Sequence, residues 1–161
     1  MSVRHRAAAT IALTISIAAL QVVTASTPVI TGAIQGVELC PQSICDAAIF
    51  AGDFTGQVNS KPTSGFFGAA ITYDEPLPSQ PFSTEITGGS WAIHTRLRTV
   101  GGKILDGGTL TNIGPPSGET EDRFTVTLTM EITKGGFGTL HFTGILDHNQ
   151  FPPTIAGEIT P

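Results

Sequence analysis

Residues 123–133 read RFTVTLTMEIT, in which Phe124, Val126, Leu128, Met130 and Ile132 alternate strictly with Thr125, Thr127, Thr129, Glu131 and Thr133. A period of two places all five apolar side chains on one face, so the segment is a β-strand with one side in a core and the other in water. Lys134, Gly135 and Gly136 then supply a tight turn. Phe137 to Leu146 returns with Leu140, Phe142 and Leu146 together, and the two runs form a β-hairpin.

The same grammar extends upstream. Trp91 to Val100 runs out with Trp91, Ile93 and Leu97 on one side, Gly101 and Gly102 are the expected turn, and Lys103 to Ile113 runs back. Asn59 to Ser64, with Pro62 inside it, is expected to join Ala48 to Val58 to Gly65 to Tyr73. Val29 to Leu39 precedes that pair, and Thr154 to Thr160 closes the chain after Phe151, Pro152 and Pro153. Asp74 to Phe82 and Gly114 to Asp122 carry Pro, Ser, Gly and acid, the composition of exposed loops. With Ser83 to Val100 taken as one long or bent strand, the count is about eight.

Glycines recur on the apolar faces. Ile30, Gly32, Ile34 and Gly36 share a side, as do Phe50, Gly52, Phe54, Gly56 and Val58, then Leu140, Phe142, Gly144 and Leu146, then Ile155, Gly157 and Ile159. Glycine weakens a flat strand. Its repetition on one face points to strong coiling or a large-small interior alternation, which suits a small barrel. The expected fold is therefore all-β, an antiparallel up-and-down barrel of about eight strands, with a two-sheet β-sandwich as the alternative. The spacing of the phrase is too irregular for a solenoid.

The N-terminus carries an address. Arg4, His5 and Arg6 precede an uncharged run from Ala7 to Ala25 that ends with small residues at Val23 and Ala25. This is the pattern of a secretory signal peptide over residues 1–25, with cleavage before Ser26 and one all-β domain over 26–161. An uncleaved anchor is the competing reading; Thr10, Thr14, Ser16, Gln21 and Thr24 dilute the run against it. Cys40 is too far downstream to be a lipoprotein's acylated residue, and no later stretch is apolar enough to span a bilayer. The expected location is secreted or periplasmic.

Loss of Arg4 and Arg6 leaves six Lys and Arg against thirteen carboxylates. That balance argues against nucleic acid, which is held by neutralising its phosphates. Cys40 and Cys45 are expected to form a structural disulfide in an oxidising compartment. The spacing is not Cys-x-x-Cys and no nearby Cys or His completes a metal site, so neither a metal nor any other cofactor is expected.

Candidate sites are few. Phe54, Trp91 and Phe142 are the expected lining of an apolar pocket, if the interior glycines leave room for a small molecule. His94, Arg96 and Arg98 alternate opposite Trp91, Ile93 and Leu97, a basic stripe suited to a carboxylate or sulfated glycan, or to ordinary pairing with neighbouring acids. The histidines His94, His141 and His148 lack a ligand spacing, and Asp147, His148 and Asn149 read as turn formers. Asp53, Asp106 and Asp147 are the carboxylates from which a hydrolytic pair would be drawn. Asp74, Glu75, Glu119, Glu121 and Asp122 lack the ordered ligands of a calcium loop. No Gly-x-Ser-x-Gly elbow surrounds Ser43, Ser64 or Ser90.

Gly89, Ser90 and Trp91 resemble the Gly-x-Trp element of lipocalins, secreted eight-stranded barrels. The likeness covers three residues, and the lipocalin element opens the first strand, whereas this one follows three expected strands. In size and glycine content the chain is also similar to exported barrels of the dirigent and allene oxide cyclase kind. Both likenesses are of architecture only. The functional expectation is a non-catalytic barrel with a structural or interaction role toward an envelope or matrix component; a barrel binding a small hydrophobic ligand is second, and an enzyme using Asp53 or His148 is third.

Overall fold

Alternation produces strands wherever it occurs in the computed structural model of the protein, which describes residues 27–75, 77, 82–115 and 117–161. These strands are β1 (Ile30–Cys40), β2 (Ala48–Val58), β3 (Lys61–Tyr73), β4 (Ser83–Thr95), β5 (Thr99–Ile104), β6 (Gly108–Asn112), β7 (Arg123–Lys134), β8 (Gly138–Asp147) and β9 (Thr154–Thr160). Every pairing is antiparallel. The expected signal segment lies outside the described residues.

The sheet closes on itself. β9 bridges β1 and β8, β2 joins β1 to β3, β3 joins β4, and β7 receives both β5 and β6. β5 pairs with β4 at Gly89–His94, while β6 pairs with it at Ser83–Ile86, so the two short strands share one position in the wall. The result is a closed eight-strand antiparallel barrel plus one extra strand. Closure removes the sandwich alternative and leaves no bare sheet edge along the wall.

The inner faces form one core, in which Phe54, Ile34, Ile86, Ile93, Met130, Leu140 and Ile159 are almost completely buried. Phe54 and Phe142 account for the glycines beside them. Gly32 stands opposite Gly56, and Gly144 opposite Gly157. A Cβ on Gly56 would come 2.9 Å from Phe54 Cζ, and one on Gly144 only 2.5 Å from Phe142 Cζ. Each phenyl ring therefore lies over a glycine pair and occupies the space its missing side chains vacate. A void of about 10 Å³ lined by Phe50, Leu128 and Phe142 is no larger than one water requires.

One strand and two turns differ from expectation: Lys103 to Ile113 is not a single strand but the end of β5, a link at 105–107 and β6. Gly101 and Gly102 are not the β4–β5 turn; they stand inside β5, opposite Ala92 and Trp91. The chain reverses at residues 96–98, where Thr95 Oγ1 accepts from the amides of Leu97 (3.2 Å) and Arg98 (3.1 Å). Close approach to β7 explains the glycine, because a Cβ on Gly102 would meet the Glu131 carbonyl oxygen at 1.9 Å, the acceptor of the Trp91 indole N–H. Leu97, expected in the core, is exposed at the turn. The β2–β3 reversal is likewise shorter than Asn59 to Ser64. Asn59 and Ser60 alone make it, both at positive φ (51° and 61°), the conformation whose twist matches a two-residue hairpin. Pro62 then sits in β3 before pairing with β4 begins at Gly65, where its missing N–H breaks no ladder on that side.

Candidate functional site

Alternation along β1 carries its inner face past Ile34 and Gly36 to Glu38, and along β3 past Ile71 to Tyr73. Both strands end at the same mouth of the barrel. The Cys40–Cys45 disulfide, with Cα atoms 6.1 Å apart, folds the β1–β2 connection back over this end. Gln42 in that connection acts as a strand substitute: its Oε1 accepts from the Tyr73 amide at 2.8 Å, and its Nε2 donates to the Tyr73 carbonyl at 2.7 Å.

The β8–β9 connection supplies the opposite wall. His148 follows β8, its amide donating to the Asp122 carbonyl at 3.3 Å and its ring tilted against Phe124 at 5.4 Å between centroids. Asn149 braces the loop by accepting from the Glu121 amide and donating to its carbonyl, while Asp147 Oδ1 receives the Asn149 amide at 2.9 Å. Partial burial works against ionisation of Asp147, but the Asn149 hydrogen bonds, with Arg123 and His148, outweigh it and hold the carboxyl below its usual range. Pro153 fixes the far side, its carbonyl accepting from the Glu38 amide at 2.8 Å.

Between these walls lies a cavity of about 680 Å³. Its apolar surface comes from Leu39, Ile44, Leu77, Phe151 and the Pro152–Pro153 pair, and its polar groups include Glu38, Tyr73, Glu75 and His148. Glu38 is 5% exposed, and its Oε2 is 3.3 Å from His148 Nε2, a buried nitrogen that makes no aligned hydrogen bond. Burial, with the Glu38 and Glu75 carboxylates, pushes the Tyr73 hydroxyl up to about 12, so it stays a neutral donor at ordinary pH. Leu39, Ile44 and Phe151 are 62%, 79% and fully exposed, an apolar rim around the opening.

Of the residues weighed from sequence, Ser43, Glu75 and His148 line the cavity, and the others fall elsewhere. Phe54, Trp91 and Phe142 are buried in the filled interior and do not line the cavity. Arg96 and Arg98 belong to the β4–β5 turn, so they do not alternate with His94 along one strand; Arg98 Nη2 donates to the Gly135 carbonyl, and His94 Nδ1 is 3.1 Å from Thr99 Oγ1. His141 faces outward beside Thr129. Asp53 is exposed on β2, Asp106 stands in the β5–β6 link, Asp147 ends β8, and none of the three lines the cavity. Cys40 and Cys45 are bonded to each other. Among the described residues, no group of three His, Cys, Asp or Glu is placed to hold a metal ion.

His148 lies against Glu38 rather than the adjacent Asp147. Glu38 and Tyr73 were legible as the next inward positions after Gly36 and Ile71. What parity does not reveal is that β1, β3 and β8 end at one mouth. Comparisons with protein families, with curated proteins and with solved structures give no match.

Proposed function

We propose that the protein is an exported, non-catalytic barrel that binds a small, largely apolar molecule at one mouth, on a rigid scaffold rather than inside it. The observation that carries this reading is the cavity of about 680 Å³ set against a filled interior. Its volume falls within the ~300–1,000 Å³ range of small-molecule pockets, with apolar walls and a few convergent polar groups as such sites require. The exposed Leu39, Ile44 and Phe151 are hard to explain in a protein that meets only water. Export, read from residues 1–25, agrees with the disulfide that shapes the mouth.

A fluorescence titration with the neutral apolar dye N-phenyl-1-naphthylamine tests the reading. Emission is expected to rise saturably, and Ile44→Asp and Phe151→Asp are expected to weaken binding about tenfold, since each places a charge in the apolar rim. Phe142→Leu, in the interior, is expected to leave it unchanged. Absence of saturable binding, or equal loss from Phe142→Leu, overturns the proposal.

A further inference from the structure

The polar groups of the mouth are unevenly charged. Two carboxylates, Glu38 and Glu75, line the cavity together with one imidazole, and no Lys or Arg is among the residues that line it. Asp46 stands in the β1–β2 connection and Asp74 beside Glu75 in the β3–β4 connection, and the chain as a whole is acidic. An anionic ligand would bring its charge into this field without a fixed cation to receive it.

Glu38 makes the asymmetry chemical. Its side chain is 3% exposed, deep enough that an ionised carboxylate needs a positively charged or donor partner. Among the described residues its ion-pair partner is His148, whose Nε2 lies 3.3 Å away without hydrogen-bond alignment and carries charge only when protonated. Tyr73, on the same lining, contributes an aromatic ring, whose electron-rich face attracts cations. A buried carboxylate, an imperfectly aligned partner, an aromatic ring and apolar walls together are complementary to a molecule with an apolar body and a cationic head.

We infer that the mouth cavity selects amphiphiles bearing an ammonium group, which places its charge against Glu38 while its hydrocarbon body lies along Leu39, Ile44 and Phe151. This rests on the reading of the mouth as a ligand site. It adds the ligand's class and orientation: head inward at Glu38, tail toward the rim.

Three probes of equal chain length separate the terms: octylammonium, 1-octanol and octanoate, titrated at pH 7 by calorimetry. Octylammonium is expected to bind about tenfold or more tightly than octanol, the ratio a charge-assisted hydrogen bond supports, with octanoate weakest. Glu38→Gln is expected to bring octylammonium to within about twofold of octanol. As a check that needs no variant, the Glu38 carboxyl ¹³C resonance should move with octylammonium and stay in place with octanol. If all three probes bind alike, if octanoate binds best, or if the Glu38 resonance ignores octylammonium, the cationic preference is overturned and the apolar site stands. If none of the three binds, both readings fall.

Discussion

A Cβ added to Gly56 would come within 2.1 Å of the Thr31 carbonyl oxygen and 2.6 Å of Gly32 Cα, contacts that backbone cannot relieve by rotation. Gly56→Ala is therefore expected to destabilise the fold by about 1–3 kcal/mol, the range for overpacking, or more where the strands must separate. Chemical denaturation with the midpoint compared to the parent reads this directly; an unchanged midpoint would mean that β1 and β2 do not approach this closely at the glycine pair. Tyr73 makes a pH prediction. Its folded pKa of about 12 exceeds the ordinary ~10, so the unfolded chain releases the proton first and the folded state loses stability as pH rises from about 10 to 12. Thermal melts across that window should show the decline, and Tyr73→Phe should make it shallower. Glu38 and Tyr73 were readable as inward positions, but the Glu38 carboxylate meets its partner only through His148, which local sequence would pair with Asp147.

The Gly101–Gly102 pair illustrates how an element can override a local signal. Two glycines after an alternating run are a strong hairpin signal, yet the reversal forms earlier, at residues 96–98 where Thr95 caps it, and the glycines serve close approach, Gly101 to β4 and Gly102 to β7. Gly102→Ala is accordingly expected to cost about 1–3 kcal/mol or more, and Leu97→Ser, at the exposed turn, to stay within about 0.5 kcal/mol. The reverse order of effects in urea melts would restore the turn to the glycines. The disulfide acts at the same scale. Replacing both Cys40 and Cys45 by Ser opens a short loop, which the chain-entropy account values at about 2 kcal/mol. Because that loop forms a wall of the mouth, the double variant should also lose dye binding at a temperature where circular dichroism still reports the native sheet; retained binding would show that the wall holds without its covalent brace.

Closure is a property of the whole molecule, and β9 completes it by pairing with β1 on one side and β8 on the other. A chain ending at Pro153 would leave two long strands with unpaired edges, the arrangement that templates edge-to-edge association. Size-exclusion chromatography of that truncation is expected to show higher oligomers or aggregate in place of the parent's species, and an unaltered profile would argue that the wall is stable open. The strands β1–β4 and β7–β9 with most of their inward faces, the cysteine pair and the acidic, cation-poor character were determined by sequence alone, because period-two alternation, covalent spacing and charge count are local or additive quantities. The position of the β4–β5 turn, the filling of the barrel by Phe54 and Phe142, and the meeting of Glu38, Tyr73 and His148 were decided only by tertiary structure. Each depends on which residues distant in the chain come within a few ångströms of one another. Strand register and barrel closure set those distances, and no segment read by itself contains them.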